Sequence, residues 1–171
     1  MIVNFAVVEV EFAEPIYTVA ESNSESVQIC IRLLGSLRRA IFINVEFVDI
    51  NTTSVDYSNT ATTIVFQSGS PNPACFVFSA NNDSVFENDE MLSIVLSTVD
   101  NGVNIPVNTA LVTVTDSSMI SVGFTSLSQT VEEGGSVPVC VGIFSGSLAE
   151  QVTLLLRVTP LEGQGNVVVV L

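Results

Sequence analysis

Asp and Glu recur where the apolar runs of this sequence stop. Glu21 follows IYTVA, Asp56 lies in VDY (55–57), and Asp83, Glu87, Asp89 and Glu90 crowd the stretch NNDSVFENDE (81–90), while Asp116 closes ALVTVTD (110–116). Carboxylates brought together repel by about 1–4 kcal/mol per close pair, depending on the local dielectric. A hard divalent cation relieves that repulsion, and an all-oxygen donor set favours Ca²⁺ over softer metals. The plainer reading is that Asp, Asn and Ser populate turns for conformational reasons. The two differ in whether the acids meet.

Composition removes other chemistries. The chain has 171 residues, with 18 Asp and Glu against four Arg and no Lys, a net charge of −14. Such a surface repels phosphate backbones and anionic membranes, so no nucleic-acid partner is expected. Without His there is no imidazole base, no His-ligated zinc and no Ser-His-Asp triad. Three Cys, at 30, 75 and 140, are too few for a zinc ribbon or iron–sulfur cluster. Paired carboxylates can serve a glycosidase, but only Tyr57 and Phe86 are aromatic neighbours of these acids, and nothing marks a substrate cleft. No enzymatic activity is expected, and Phe86 reads as a core plug. VEEGGS (131–136) is turn chemistry, because no strand–Gly loop–helix unit surrounds it. No apolar run reaches 18 residues, so no transmembrane helix and no membrane insertion are expected. The N-terminus lacks a basic region and carries Glu9 within its apolar run, unlike a signal peptide.

The elements that must position the acids are strands. Residues 6–12, 26–34, 41–48, 62–66, 75–80, 91–98 and 110–115 are short β-branched or aromatic runs bounded by Ser, Asn, Asp, Gly or Pro. Seven such runs predict an all-β chain with an immunoglobulin-like seven-stranded antiparallel β-sandwich. If the strands alternate in direction, the first, third, fifth and seventh end at one pole. Glu21, Asp56, Asp83, Glu87, Asp89, Glu90 and Asp116 then share that pole. The opposite pole, with GSLRR (35–39) and QSGSPNP (67–73), reads as carrying Arg and no acid.

The chain also repeats. FAEPIYTVAESNSESVQIC from Phe12 matches FTSLSQTVEEGGSVPVC from Phe124, with an offset of 112 at the Phe and 110 at Cys30 and Cys140. This predicts a lead-in over 1–7, a sandwich over 8–117 and a truncated second copy over 118–171. Cys30 and Cys75 fall on strands that neighbour each other in an immunoglobulin-like sheet, so a disulfide or two buried thiols are both geometrically open. The repeat favours the disulfide, because the counterpart of Cys75 for Cys140 would lie past residue 171. A disulfide implies an oxidising, extracellular setting. Asn51-Thr52-Thr53 and Asn82-Asp83-Ser84 are glycosylation sequons, and a glycan on Asn82 would crowd the acidic loop.

NNDSVFENDEMLSIVLS (81–97), with CFVFSA before it and ALVTVTD after it, resembles the Calx-β repeat, as do VDY (55–57) and YTVAE (17–21). The resemblance covers nearly all of 8–117 and the first third of a repeat in 120–171. It implies Ca²⁺ at the acidic pole, with Glu21, Asp56, Asp83, Glu87, Glu90 and Asp116 at ligand positions and the carbonyl of Val85 as a backbone ligand. Asn82 stands where the family often has an Asp, and Ser117 and Ser118 where it often has further Asp. Fewer charges imply one or two ions, held at the roughly 10⁻⁴–10⁻³ M of extracellular modules. The implied role is a Ca²⁺-binding structural or adhesion module of an extracellular or cell-surface tandem-repeat protein, its partners being neighbouring repeats and cell-surface or matrix proteins. A metal-free acidic spacer and the cytoplasmic Ca²⁺ sensor of a sodium/calcium exchanger are the alternatives.

Overall fold

The computed structural model describes residues 8–22, 25–157 and 159, and every element among them is a strand. Alternating burial writes the sandwich into the sequence. In β1 (Val8–Phe12) the residues Val8, Val10 and Phe12 are buried while Glu9 and Glu11 face outward. A strand presents alternate side chains to opposite faces, so this period of two gives one wet face and one dry face. The same alternation runs through β4 (Ile41–Asp49), β8 (Glu90–Ser97) and β10 (Thr109–Thr115). Leu92, Ile94, Val112, Val10 and Ile29 meet in a core from which water is excluded.

Two sheets form the layers. One has four strands in the order β6 (Ala74–Phe78), β3 (Val27–Leu34), β1 and β9 (Val103–Asn104). The other has five, in the order β2 (Ile16–Ala20), β10, β8, β4 and β5 (Thr62–Phe66). The predicted sandwich is thus present, its first strand split into β1 and β2 and the two-residue β9 added, with two departures from an all-antiparallel layout, one of them the parallel pairing of β1 with β9. The first strand breaks at Ala13–Pro15, where Pro lacks the N–H that a ladder needs. Its first half, β1, pairs antiparallel with β3; its second half, β2, crosses to the other sheet and runs parallel to β10.

Cys30 lies opposite Cys75 in the β3–β6 ladder, and the two form a disulfide, with Cα atoms 4.1 Å apart. The pole opposite the acidic loops does hold an acid, contrary to the sequence reading. Asp100, just past β8, pairs with Arg39 at 2.5 Å and accepts the Phe42 N–H at 2.7 Å, which holds its carboxyl below the ordinary range.

Past the sandwich, β11 (Ser121–Phe124) and β12 (Val141–Ser145) form a two-stranded antiparallel sheet. Its pairing repeats that of β1 and β3. Phe12 faces Ile31 and Phe124 faces Val141; the Ala13 N–H donates to Cys30 O at 2.8 Å, and the Thr125 N–H donates to Cys140 O at 2.9 Å. Cys140 is exposed with a free thiol. Finally, β13 (Ser147–Leu148) runs parallel to β7 (Val85–Phe86). Phe86 is therefore half-buried against this added strand and lies outside the core cluster, which corrects its reading as a core plug.

Candidate metal centre

Sheet topology brings the acids together. Because β2 and β10 are parallel neighbours with Ala20 beside Thr115, the residues that follow them, Glu21 and Asp116, leave the sheet at the same end. The Glu21 N–H donates to Thr115 O at 2.9 Å, which extends the ladder by one bond and fixes Glu21. Antiparallel pairing of β4 with β8 puts the end of β4 beside the start of β8, so the turn to Asp56 and the side chain of Glu90 reach that same end. The loop after β6 supplies Glu87. The Asp56 carboxylate accepts the Thr53 N–H, and its carbonyl accepts the Asn81 N–H at 2.7 Å.

One carboxylate oxygen from each of Glu21, Asp56, Glu87 and Glu90 lies within 4.8 Å of all the others. At such separations each ionised pair costs on the order of 1 kcal/mol in water and several times that near a protein. Among the described residues the ion pairs are Arg39–Asp100 and Arg32–Glu11, and neither reaches this pole. The three glutamates of the group therefore resist ionisation. Glu21, only 3% exposed, is pushed up to about 7 by burial first, then by the charges of Asp83, Glu87, Asp56 and Asp116. Glu90 is pushed up to about 7 by burial, then by its hydrogen bond with Asp56 and neighbouring charge. Glu87 is raised for the same leading reason. The buried atoms Glu21 Oε2 and Glu90 Oε2 have no hydrogen-bond partner. Orphaned buried carboxylate oxygens are costly and rare. Hard oxygen donors in this arrangement fit a Ca²⁺-like cation.

A second ring supports the four. Asp83 Oδ1 accepts the Val85 N–H at 2.7 Å. Asp116 Oδ2 accepts the Glu87 N–H at 3.0 Å, and its Oδ1 accepts the Ser118 N–H at 2.7 Å. Asp83 and Asp116 thus stand outside the tightest group and shape its loops, while their charges act on Glu21 and Glu87. Asn82 is turned to the backbone, its Nδ2 donating to Glu21 O at 2.8 Å, and Ser117 Oγ donates to the same carbonyl. Val85 belongs to β7 and pairs with Ser147. Asp89 is exposed and apart from the four. Of the sequon residues, Asn51 is exposed with Oδ1 accepting the Met91 N–H at 2.7 Å, and Asn82 has its amide nitrogen engaged by Glu21.

Sequence reasoning missed Asp49. Its Oδ1 accepts the Tyr57 hydroxyl at 2.7 Å and the Thr52 hydroxyl at 3.1 Å, which pins the turn that presents Asp56. The Tyr57 ring packs on Phe47 and Phe78, and its hydroxyl is pushed up to about 12 by burial and by this bond. A buried phenol needs a partner, and Asp49 is the acid at the end of the neighbouring strand; that was the available signal.

A family model described as Calx-beta domain matches residues 5–118. Among solved structures, the apo form of the Calx CBD1 domain superposes with a TM-score of 0.60 at 24% identity, covering 66% of this chain and 99% of that one. The calcium binding domain CBD12 of CALX1.1 gives 0.56 at 25% identity, with 63% of this chain and 44% of that one covered. A two-domain protein of unknown function from Bacteroides fragilis NCTC 9343 gives 0.51 at 10% identity, over 76% of this chain and 53% of that one. No curated protein matches the chain.

Proposed function

The chain belongs to the Calx-beta family, and from that premise we propose that its acidic pole binds Ca²⁺ in a non-enzymatic structural module. One observation carries the reading: four carboxylates converge within 4.8 Å while Glu21 Oε2 and Glu90 Oε2 lie buried without a partner. Glu21, Asp56, Glu87 and Glu90 would hold the ion, and Asp83 and Asp116 would add field and orient the loops. A bound cation supplies positive charge where the polypeptide has none. The matching solved structure of CBD12 from CALX1.1 is described as a calcium binding domain, which supports the same chemistry here.

The metal pole sits where the sandwich gives way to the next segment. Asp116 follows the last residue of β10, and β11 begins at Ser121. Binding at this pole would draw the loop before β8, the end of β10 and the following chain into one rigid joint. An array of such modules would stand extended at extracellular Ca²⁺ levels and serve adhesion between cells or to matrix, through neighbouring repeats and cell-surface partners. The Cys30–Cys75 disulfide supports an oxidising compartment over the cytosol of an exchanger sensor. Titration calorimetry with millimolar CaCl₂ on the chelator-treated chain tests the core of the reading. Saturable binding near 10⁻⁴–10⁻³ M is expected; absence of binding would leave a metal-free acidic spacer.

A further inference from the structure

The edge of β12 that faces away from β11 has no strand beside it among the described residues, whereas the matching edge of β3 is covered by β6. The two edges correspond in their hydrogen bonding. Cys30 O accepts the Ala13 N–H on the β1 side, and Cys140 O accepts the Thr125 N–H on the β11 side. Residues 27–30 of β3 are laddered by β6 and not by β1. Their counterparts 137–140 lack such a partner, and β12 begins only at Val141. In an extended run over 137–143, backbone groups alternate between the two edges. Those of Pro138, Cys140 and Gly142 then point toward β11, and those of Val139, Val141 and Ile143 toward the open edge. The N–H that Pro138 lacks is therefore not one that the open edge would use.

The same stretch is apolar and uncharged. Val137, Val139, Val141 and Ile143 are 37–55% exposed, while Ile29 and Ile31, in the places of Val139 and Val141, are fully buried. From Gly134 to Ala149 there is no charged residue, in a chain of net charge −14. An apolar strand edge without charges on it is a template for another strand. We infer that this edge is a self-association surface, on which β12 pairs antiparallel with β12 of a second copy of the chain about a two-fold axis at Cys140. Parity favours that occupant. About Cys140, Val139 meets Val141 of the second copy and Val137 meets its Ile143, so apolar residues stay on one face and the small Pro138 meets Gly142. Charge favours it too, because two acidic chains approach here without opposing carboxylates. Cys140 meets its own counterpart as Cys30 meets Cys75, whose Cα atoms are 4.1 Å apart. A two-stranded sheet is marginal alone, and the isologous pair makes four strands.

The test is sedimentation velocity on the full chain in chelator, which removes any metal bridge between acidic poles. It is run at about 100 µM chain, because an edge contact of this kind is small. The chain should sediment with twice the monomer mass. Cys140→Ser should remain dimeric. Cys140→Asp, at an exposed position, sets two carboxylates directly opposite each other in this register and should give monomers. Oxidised glutathione added to the unaltered dimer should link the copies through Cys140. The two thiols lose two protons and two electrons, and the glutathione disulfide takes them up as two glutathione thiols. A monomeric parent chain would overturn the inference, and would mean that another part of the same chain covers the edge. A Cys140→Asp chain that stays dimeric would overturn it as well, since the contact would then lie elsewhere. The Ca²⁺ reading is untouched by either result.

Discussion

The side-chain amide of Asn82 donates to the backbone carbonyl of Glu21 at 2.8 Å, joining two loops 61 residues apart at the rim of the acidic centre. Ser117 Oγ donates to the same oxygen from the end of β10. Three segments are therefore clipped together by neutral donors at the place where their charges push them apart. This explains the amide where the family often has a carboxylate: an Asp has no proton to donate to that carbonyl.

Asn82→Asp should destabilise the ion-free chain by about 1 kcal/mol, the worth of the lost hydrogen bond, with added repulsion on top. The same variant should gain more from Ca²⁺ than the parent chain, since its extra carboxylate faces a cation only when one is bound. Urea denaturation with chelator and with CaCl₂ checks both signs. Unchanged stability in chelator would mean that the clip contributes nothing.

Stability of the ion-free chain should fall as pH rises. Glu21 and Glu90 are pushed up to about 7, above the ordinary 4.5, so protons bind the folded state more tightly than the unfolded one. Their contribution is complete below pH 4.5 and is lost as pH climbs through 7. For Glu21, which is almost fully buried, the loss is on the order of 3 kcal/mol. Denaturation midpoints in chelator should drop between pH 5 and pH 8, and Ca²⁺ should restore the value at pH 8.

The Cys30–Cys75 bridge closes a separation of 45 residues across neighbouring strands. On the chain-entropy account such a loop is worth about 4 kcal/mol. Replacing both residues with Ser should lower stability by that order, while adding reductant to the double variant should do nothing further. A mobility shift of the parent chain between reducing and non-reducing gels would report the bridge directly.

Much of this was readable from residue order. Strand parity placed Glu21, Asp56, Glu87 and Glu90 at one pole without a template, because a period of two and alternating direction fix which ends coincide. Parity does not measure depth, so it did not separate these four from Asp83 and Asp116, whose carboxylates are taken up by the backbone of Val85, Glu87 and Ser118. The crossing at Pro15 was hidden inside a run that reads as a single strand, and only tertiary pairing shows β2 parallel to β10. The Tyr57–Asp49 bond and the β7–β13 pair join positions whose partners no local pattern names. Phe86 went astray for that reason: an aromatic beside a strand looks like core until its real neighbour is seen.

Glu90 separates a metal centre from an acidic surface. Its carboxyl is half-buried, is hydrogen-bonded with Asp56, and leaves Oε2 without a partner. Glu90→Gln keeps the shape, offers Asp56 an N–H donor and removes one charge from a group confined within 4.8 Å. In the absence of metal at pH 8 the variant should therefore be more stable than the parent, by about 1–3 kcal/mol. Its Ca²⁺ affinity should fall by roughly an order of magnitude, since ligand charge sets affinity in oxygen sites. Opposite signs in one variant are expected only where a protein keeps a costly arrangement for the sake of an ion. Loss of stability in chelator, together with unaltered Ca²⁺ binding, would instead make Glu90 an ordinary structural acid.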